Sequence, residues 1–484
     1  MTRPSLQLGL AAIALAAFTW VGIATLPPGP SPALAGPGVA AGAVTTTAPT
    51  TTTGMAPAIT VTTTLMTTLP TTEATVADAA RDLSLAVHPD GAAATLTVTD
   101  TSGRPITGDG QFDGSVIGAV EVMVEAEGFH TETLEIPAER AGEVQVWLDP
   151  PDQVVDRRLV IGTGSAPKQV AFTPDGSELW VTLLGGSGLE AYDPVTGELI
   201  AAIDLPEAGS VEVIFDSAGK TAYVSQMETA SVYEVDVATH ELMRQLVTGG
   251  SWTKVMVLSP DERRLWASNW VSNDVSEFDL TSGEMVRRIP TVTTPRGLAL
   301  NPAGTKLYVA GYDEGDIEVV DLASGESSTI HHSGGALRHL AADKEDGLIY
   351  ASDMALDTIF VIDTATDSVT TMGSTDRLPN TIDLSPDGRV LAVSNRGRNN
   401  PETYYLPGPE WGSVLLLDTA TGAILDAIVG GNQPTGLDIS PDGAWLAYSD
   451  FLDNRVSVIA LPDTEVLLAA GGGRSETYGS ELTK

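Results

Sequence analysis

The chain has 484 residues, and its 25 lysines and arginines against 64 aspartates and glutamates give a formal net charge of −39. A surface this acidic repels phosphate backbones and anionic lipid head groups, so neither a nucleic acid nor a membrane surface is an expected partner. Hydrophobic residues make up 42% of the chain, which predicts a mostly folded protein, and the lack of cysteine excludes disulfides, thiolate metal ligands and cysteine nucleophiles.

The first 35 residues have the organisation of a secretory signal peptide. Arg3 provides a positive charge, the run from Leu8 to Leu26 has none, and Ala33-Leu34-Ala35 offers small residues where a signal peptidase cuts. We expect cleavage after Ala35 and a secreted or cell-envelope location for the rest of the chain. The apolar run is also close to the length that spans a bilayer, so an uncleaved membrane anchor is the alternative.

Residues 36–80 are dominated by threonine, proline and alanine. Such a segment has few side chains to bury, and burial is what offsets the entropy lost on ordering. The composition therefore predicts a flexible linker. Stalks of this composition in exported proteins can also carry O-linked sugars, and the sequence leaves that open.

Residues 81–150 contain short alternating strands separated by turns, such as 94–98 and 144–148. A unit of this size and pattern predicts a small β-sandwich. Its segments VEVMVEAEGFH, at 120–130, and VQVWLDP, at 144–150, resemble PEGA domains. That resemblance implies a small surface module of a bacterial envelope protein.

From residue 157 onward the sequence repeats a four-strand unit seven times. Most units have a turn of Pro-Asp-Gly type between the first and second strands, as at Pro174-Asp175-Gly176. A period in the low forties with four strands per period predicts a β-propeller, in which neighbouring sheets bury one another. The third strands of successive units end at Asp193, Asp236, Asp279, Asp321, Asp363 and Asp418.

Several of these segments resemble the YVTN-repeat propellers, also described as YncE-like or lactonase-like. The resemblance is carried by SPDG at 385–388, YVAG at 308–311, YVSQ at 223–226 and the hairpin DTATG at 418–422. It implies an all-β chain with a seven-bladed propeller over residues 151–473 and a C-terminal tail at 474–484. Since this fold hosts unrelated activities, the resemblance permits a lactonase-like hydrolase without requiring one.

Two segments compete for the outer strand of the last blade. Arg158–Gly162 precedes the first complete unit, and Glu465–Ala469 follows the last one; both look like strands. We expect one of them to close the ring and the other to lie on the surface as an extension.

In a propeller, the loops that enter the first strands and those that join second to third strands gather on one face around the central channel. The equivalent positions at the start of the first strands include four cations, although acids far outnumber bases in the chain. Converging cations in a shielded channel attract a carboxylate or phosphate. The alternative is that they pair with acidic loops such as 313–316 or are simply solvated. The predicted ligand-binding residues of this position are Lys168, Lys254, Arg296, Arg338 and Asn380; Val211 and Thr435 complete it.

One long insertion lies between Asn395 and Ser413, in the second-to-third strand loop of the sixth unit and so on the same face. Prolines stiffen it, and rigid loops with aromatic and arginine side chains are suited to ligand or partner contact. The alternative is a loop that packs on its own blade. The predicted contact residues are Arg396, Arg398, Tyr404 and Trp411.

Catalytic and metal sites have little support in the sequence. Among the histidines only His339 falls near the predicted channel, which leaves no histidine metal cluster and at most one base for a serine triad. The Gly-x-Ser-x-Gly pattern of a nucleophile elbow is absent. We therefore predict no metal and no cofactor. Acids at second-strand ends, such as Asp353 and Asp450, leave a lactonase-like hydrolase as an alternative.

The preferred interpretation is an exported, non-enzymatic binding or scaffold protein that uses the channel mouth. Its expected partner is an anionic small molecule, a peptide or an envelope protein, with membrane contact only through a retained N-terminal segment. A purely structural envelope protein with an empty channel is the third possibility.

Overall fold

The computed structural model describes residues 80–88, 93–101, 105–109, 111–136, 142–343 and 345–484, all within one compact unit. The predicted signal peptide and all of the predicted linker except residue 80 lie outside these residues. None of the helices in the described part has the length and apolar character needed to cross a bilayer.

Two sheets form a small β-sandwich at the start of the described chain. The strand order is β4-β1-β7 in one sheet and β3-β2-β5-β6 in the other. Alternate residues of β5 are buried, as a half-buried strand requires, and they pack between the sheets with fully buried side chains such as Leu85 and Leu96. The predicted sandwich is confirmed. The strands are β1 (Ala80–His88), β2 (Ala94–Asp100), β3 (Pro105–Asp109), β4 (Gln111–Ile117), β5 (Val120–Ala126), β6 (Glu132–Ile136) and β7 (Gly142–Trp147).

Seven four-stranded antiparallel sheets follow and form the predicted propeller. Blade 1 contains β9 (Pro167–Phe172), β10 (Leu179–Leu183), β11 (Gly188–Tyr192) and β12 (Leu199–Asp204). Blade 2 contains β13 (Ser210–Phe215), β14 (Thr221–Gln226), β15 (Ser231–Asp236) and β16 (Leu242–Val247). Blade 3 contains β17 (Thr253–Leu258), β18 (Arg264–Asn269), β19 (Asp274–Asp279) and β20 (Glu284–Pro290). Blade 4 contains β21 (Pro295–Leu300), β22 (Lys306–Gly311), β23 (Asp316–Asp321) and β24 (Ser327–His332).

The remaining blades continue the same order. Blade 5 contains β25 (Leu337–Asp343), β26 (Leu348–Asp353), β27 (Thr358–Asp363) and β28 (Ser368–Ser374). Blade 6 contains β29 (Pro379–Leu384), β30 (Val390–Asn395), β31 (Ser413–Asp418) and β32 (Ile424–Val429). Blade 7 contains β33 (Pro434–Ile439), β34 (Trp445–Asp450), β35 (Arg455–Ala460) and, as its outer strand, β8 (Asp156–Gly162).

The ring is closed by β8, which pairs antiparallel with β35. Of the two segments that competed for this place, the one before the first unit therefore takes it. The other, Glu465–Ala469, is part of a helix, α1 (Thr464–Ala470), that packs on β32, so its interpretation as a strand is wrong. Leucine, alanine and glutamate favour a helix, and β8 already occupies the edge that a strand would need.

The first strands of the blades, β9, β13, β17, β21, β25, β29 and β33, neighbour one another around the ring and line the central channel. Second and third strands are almost wholly buried between blades; all of β10 is buried, and Trp180 within it is 0% exposed. We call the face that carries the loops before the first strands and between second and third strands the top face. The opposite face, with the turns between first and second and between third and fourth strands, is the bottom face.

Candidate ligand-binding site at the channel mouth

The predicted site residues occupy the same place in every blade, the second residue of the first strand. In all seven blades the register with the second strand breaks there, so that an extra residue stands against its partner. A β-bulge of this kind bends the strand and changes the direction of a side chain at the end of a sheet. We call these seven residues the mouth ring: Lys168, Val211, Lys254, Arg296, Arg338, Asn380 and Thr435.

In six of the seven blades a side-chain hydroxyl of the second strand lies at the bulge. In blade 3, Ser268 Oγ accepts a hydrogen bond from the backbone N–H of Val255 at 3.1 Å and donates to the carbonyl of Arg296, in the next blade, at 2.9 Å. Ser394 does the same between blades 6 and 7, donating to the carbonyl of Thr435 at 3.0 Å. Mouth-ring backbones are thus fixed by contacts between blades as well as within them. The equivalent residues are Thr182, Ser225, Ser268, Ser352, Ser394 and Ser449; Ala310 takes this place in blade 4.

A second set of equivalent residues lies directly after the second strands. The backbone N–H of each donates to a carbonyl two residues before the mouth-ring position, as from Trp270 to Trp252 at 3.0 Å and from Tyr312 to Thr294 at 3.1 Å. These residues therefore stand beside the mouth ring in every blade. We call them the loop ring: Leu184, Met227, Trp270, Tyr312, Met354, Arg396 and Phe451.

The cations of the two rings are buried or half-buried, and none has an anionic partner among the described residues. Lys254, Arg296 and Arg338 are 5%, 4% and 6% exposed. Lys168 is half-buried, as is Arg396. Within the part of the chain that the structure describes, none of the five has a carboxylate within ion-pair distance. A buried charge is costly unless it is paired, so this arrangement calls for an anion from outside.

Several polar atoms of the mouth also have no hydrogen-bond partner among the described residues. The Nε atoms of Arg296 and Arg396 are buried and unpaired, and so are both amide atoms of Asn380, a side chain that is 0% exposed. Leaving a buried donor or acceptor unsatisfied costs about 1–3 kcal/mol. Native proteins keep such groups mainly where a ligand, ion or water satisfies them.

Aromatic rings form the walls around these cations. Lys254 Nζ lies 5.4 Å from the ring centroid of Trp252 and 4.8 Å from that of Trp270. The guanidinium of Arg296 lies 4.9 Å from Trp270, whose ring is 5.1 Å from that of Tyr312. Cation–π contact of this kind holds a charge in place while leaving its hydrogen bonds free for another acceptor.

The opposite side of the mouth repeats the pattern. Lys168 Nζ lies 5.2 Å from the centroid of Phe451, and the guanidinium of Arg396 lies 5.4 Å from that of Tyr404. Tyr404 and Tyr405 stack at 4.1 Å, so the insertion contributes an aromatic edge to the mouth.

The cations raise one another's electrostatic cost. Burial, with the charges of Arg296, Arg396 and Lys254, lowers the pKa of Lys168 well below its usual value. Burial and Arg296 do the same to the pKa of Lys254. Burial lowers the pKa of Arg296 to about 10. Burial also lowers the pKa of Arg396 from its usual value, so the cost of desolvation acts on all four of these cations.

Below the mouth the channel contains acids. His339 Nε2 and Glu212 Oε1, on the first strands of blades 5 and 2, are 3.7 Å apart. Deeper on the first strands of blades 6 and 7, Asp383 accepts the backbone N–H of Ile439 at 2.8 Å, and Asp438 accepts that of Phe172 at 2.7 Å. Burial and the neighbouring Asp383 raise the pKa of Asp438 well above its usual value. These two carboxyls join blades 6, 7 and 1 where the ring closes.

The predicted insertion residues divide between two places. Arg396 and Tyr404 reach the mouth, where Gln433 connects them by accepting from Arg396 Nη2 and donating to the Tyr404 carbonyl at 2.6 Å. Arg398 pairs with Glu410 at 2.8 Å and is largely exposed. The Trp411 ring packs edge-on at 5.2 Å against Trp147 of the small sandwich, so it stabilises the junction between the two domains.

The acids that the sequence left open for hydrolysis are engaged in structural contacts. Asp353 accepts hydrogen bonds from Ser333 Oγ at 2.6 Å and from the backbone N–H of Ala336 at 2.9 Å. Asp450 is 0% exposed and pairs with Arg455 at 2.8 Å. Neither carboxylate is available to act on a substrate in the channel.

One group of carboxylates in the described residues has a spacing suited to a metal ion: Glu132, Asp149 and Asp156, with ligand atoms within 4.8 Å of one another. It lies where the sandwich meets the propeller, away from the channel. Asp149 Oδ2 accepts the backbone N–H of Arg157 at 2.9 Å, and burial together with Asp149 raises the pKa of Glu132 to about 7. These contacts indicate that the three carboxylates stabilise the junction between the sandwich and the propeller.

Similarity to known proteins agrees with the geometry. Residues 160–335 match the family described as "Lactonase, 7-bladed beta-propeller". The chain is also 32% identical over 356 residues to Antigen Lp49 of Leptospira interrogans serogroup Icterohaemorrhagiae serovar copenhageni (strain Fiocruz L1-130), covering 70% of this chain and 77% of that protein. The chain belongs to the lactonase-like seven-bladed β-propeller family.

A solved structure titled Kuenenia stuttgartiensis hydrazine synthase shares the fold of this lactonase-like propeller. The TM-score is 0.54 at 20% identity, and the likeness covers 62% of this chain and 97% of the other. At that level of identity the likeness concerns the fold alone, and the function of this family member has to be argued from its own mouth residues.

Trp270, Tyr312 and Phe451 are the aromatic residues of the loop ring, and the sequence pattern of cations at the first strands did not predict Tyr312 or Phe451. The repeat alignment that gave the mouth ring also contains them, because each follows the end of a second strand by one residue. That shared register was the available signal.

Proposed function

We propose that this propeller is a non-enzymatic binding protein for a small organic anion, held at the channel mouth on the top face. The observation that supports it is the set of buried cations without an anionic partner in the described chain, above all the unpaired Nε atoms of Arg296 and Arg396. Arginine binds a carboxylate through paired hydrogen bonds, so two arginines facing one space favour such a ligand.

The walls favour a carboxylate with a flat apolar part. Trp252, Trp270 and Tyr312 line one side of the mouth, and Tyr404 and Phe451 line the other. Aromatic walls with a few polar groups are typical of small-molecule sites, and they add offset stacking to the ionic contact. An aryl carboxylate therefore fits the mouth better than a bare inorganic anion does.

The proposal includes an extracytoplasmic location. It is supported by the N-terminal positive residue, the uncharged run and the small-residue triplet ending at Ala35. Fractionation of expressing cells with N-terminal sequencing tests this part by itself: mature protein beginning at Gly36 outside the cytoplasm is expected. Full-length protein in the cytoplasm would contradict export and leave the binding proposal to its own test.

Calorimetric titration of the full chain with benzoate, acetate, succinate and inorganic phosphate at low ionic strength tests the binding. We expect benzoate to bind more tightly than acetate. Charge reversal by Arg296→Glu or Arg338→Glu should weaken benzoate binding by about 100-fold or abolish it, since a hydrogen bond to a charged group contributes about 1.5–3 kcal/mol and reversal adds repulsion.

The matched control is Arg263→Glu, which reverses an exposed arginine on the bottom face. It changes the net charge of the chain by the same amount and should leave affinity within about two-fold, because surface charges at this distance are screened. If no anion of the panel binds, or if Arg263→Glu weakens binding as much as Arg296→Glu does, the proposal is wrong.

A lactonase-like hydrolase is the second candidate, favoured by one observation. His339 and Glu212 face each other across the channel beneath the cations at 3.7 Å, which is the arrangement of a base with an orienting acid. Turnover of a lactone panel that is lost in both Glu212→Gln and His339→Gln would establish it. Saturable anion binding without turnover would favour the binding protein.

A further inference from the structure

Lys168 differs from the other lysines of the described chain in its surroundings. Its side chain is half-buried at the mouth, touches Phe451 at 5.2 Å and has no hydrogen bond or ion pair to any described residue. By contrast, Lys254 is 5% exposed and contacts the sulfur of Met227, and Lys306 is paired with Asp367 at 2.5 Å. Lys168 is thus the mouth lysine that a ligand reaches.

The backbone around Lys168 is fixed. The first strands of blades 7 and 1 approach so closely that a Cβ at Gly436 would lie 2.6 Å from the carbonyl oxygen of Lys168. The N–H of the next residue, Gln169, donates to Thr182 Oγ1 at 2.9 Å. The amine is therefore carried by a rigid strand, near enough to Arg296 and Arg396 for their charges to act on it.

An amine in such a place has the properties of a nucleophile. A lysine becomes nucleophilic when it is desolvated beside another cation, because the neutral form is then favoured. Burial, followed by the charges of Arg296 and Arg396, lowers the pKa of Lys168 in this way. Each of these two guanidiniums has a buried Nε without a partner among the described residues, which can donate to a carboxylate beside the amine.

We propose that Lys168 forms a reversible imine with a 2-oxo carboxylate whose carboxylate group is held by Arg296 and Arg396. This inference rests on the proposed function and specifies its ligand class: a carboxylate with an adjacent ketone and an apolar or aromatic remainder. The juxtaposition of a reachable, unpaired amine with two unpaired guanidinium Nε atoms supports it.

The chemistry balances without an external oxidant or reductant. The lone pair of the neutral Lys168 Nζ attacks the ketone carbon, and one amine proton passes from nitrogen to the carbonyl oxygen to give a neutral carbinolamine. A second proton lets that oxygen leave as water while nitrogen and carbon form the C=N bond, which leaves a protonated imine. Its positive charge is offset by the ligand carboxylate between the arginines, and hydrolysis by water reverses the sequence.

Trapping with sodium cyanoborohydride tests the proposal on the full chain. Phenylpyruvate is the probe, and phenyllactate, which has a hydroxyl in place of the ketone, is the matched non-carbonyl ligand. We expect phenylpyruvate with reductant to leave a stable secondary amine on the peptide that contains Lys168, and phenyllactate to leave none. Peptide mass mapping is tractable because the chain's lysines are Lys168, Lys220, Lys254, Lys306, Lys344 and Lys484.

Lys168→Arg is the informative variant because it retains the positive charge and removes the nucleophile. It should lose trapping completely, even at phenylpyruvate concentrations that saturate the variant's own binding site. Lys220→Arg, at an exposed bottom-face lysine, should trap normally.

The outcomes separate this inference from the proposed function. Binding of phenyllactate and phenylpyruvate without trapping would overturn the imine and leave the anion site standing. Trapping on Lys254 in place of Lys168 would overturn the assignment of the amine. Failure of both ligands to bind would remove the inference together with its basis.

Discussion

The two faces of the propeller are built from the same repeat, yet they differ in whether their charged side chains have partners. On the bottom face, aspartates in the turns accept hydrogen bonds from nearby backbone N–H and hydroxyl groups; Asp175 accepts from Ser177 and Thr173. Such bonds lower the pKa of Asp175, Asp236, Asp321 and Asp442. On the top face, the cations of the mouth ring have no anionic partner among the described residues.

Backbone conformation shows the same division. Left-handed conformations in the bottom turns are mostly taken by glycine, as at Gly176 and Gly443. On the top face, side chains adopt them: Trp252, Leu378 and Gln433 have φ of 59°, 60° and 64°. A left-handed conformation costs an ordinary residue about 1–2 kcal/mol, so the top loops keep side chains where glycine would be more stable.

The contrast between the two faces indicates which of them is suited to binding. A turn whose polar groups are all satisfied needs nothing from outside and serves stability. A surface that keeps unsatisfied groups in strained, rigid loops has given up stability, which is typical of binding sites. The satisfied turns of the bottom face therefore contribute to the stability of the blades, and the contrast supports the binding proposed for the mouth.

The largest expected effect is the loss in free energy of unfolding when one partner of a buried ion pair is removed. Arg455 and Asp450, in the top loop of blade 7, are 2.8 Å apart with side chains 5% and 0% exposed. Arg455→Met leaves a buried carboxylate without its cation and should lower the free energy of unfolding by about 3–5 kcal/mol. Denaturant unfolding followed by tryptophan fluorescence measures it.

The bottom-face control is Arg264→Met, because Arg264 and Asp279 are paired at 3.3 Å with both side chains about one-third exposed. Screened pairs of this kind contribute about 0–1 kcal/mol, so the unfolding midpoint should hardly move. Equal losses in the two variants would show that the faces do not differ in how they hold charge.

The pH dependence of stability should reveal the mouth lysines. Burial lowers the folded-state pKa of Lys168 and Lys254 below the 10.5 of the unfolded chain. Between those two values the unfolded state binds the extra protons, so stability rises with pH, by at most about 1.4 kcal/mol per pH unit for each lysine. A double variant, Lys168→Met with Lys254→Met, should flatten the rise.

The measurement is the melting temperature from pH 7 to 10 for both proteins. At acid pH, the aspartates of the bottom face should make stability fall as the pH falls. Their lowered pKa contributes stability that is present above about 3.8 and is lost as pH falls through the folded-state value. The fall in melting temperature at acid pH should therefore be the same in both proteins. A different fall would mean that the substitutions disturb the structure of the blades and not only the charge of the mouth.

Repetition explains why the mouth could be predicted from the sequence. A residue's place in the repeat fixes its place on a blade, so the aligned units alone predict that Lys168, Arg296 and Arg338 lie in one ring. The same register contained Tyr312 and Phe451, one residue past the second strands. They were missed because the search looked for charge and not for aromatic walls.

Segments without a repeat register were harder to place. Trp411 lies in an insertion, and its contact with Trp147 depends on how the sandwich packs beside the propeller. The short apolar segment Glu465–Ala469 looks like a strand in the sequence, but in the fold the free edge of blade 7 is occupied by β8. Burial and missing partners are properties of the folded chain, so the unpaired state of the cations was also outside the reach of sequence.

A smaller effect tests the hydroxyls that hold the mouth. Ser268→Ala leaves the N–H of Val255 and the carbonyl of Arg296 without their partner and should cost about 1–2 kcal/mol. It should also weaken benzoate binding, since Arg296 is no longer fixed. Ser282→Ala on the bottom face removes an exposed hydroxyl that accepts at 3.2 Å and should change neither quantity. Loss of stability with unchanged benzoate affinity would show that the Ser268 hydroxyl stabilises the fold but does not position the binding residues.

The smallest expected effects come from exchanging glycine and alanine between the faces. Gly176, at φ 72°, has no atom within 4 Å of where a Cβ would lie, so Gly176→Ala reports the left-handed conformation alone. It should cost about 1 kcal/mol, because the strain of about 1–2 kcal/mol is partly offset by a less flexible unfolded chain.

Ala166 on the top face has φ 56°, and Ala166→Gly relieves the same strain. By the same reasoning it should raise the free energy of unfolding by about 0.5 kcal/mol while leaving the loop's hydrogen bond from Leu184 N–H to the Ala166 carbonyl intact. Calorimetric melting of both variants gives the two signs. If Ala166→Gly destabilises the protein as much as Gly176→Ala does, the top loops are not strained, and the unsatisfied polar groups of the mouth become the remaining evidence for a site that has given up stability.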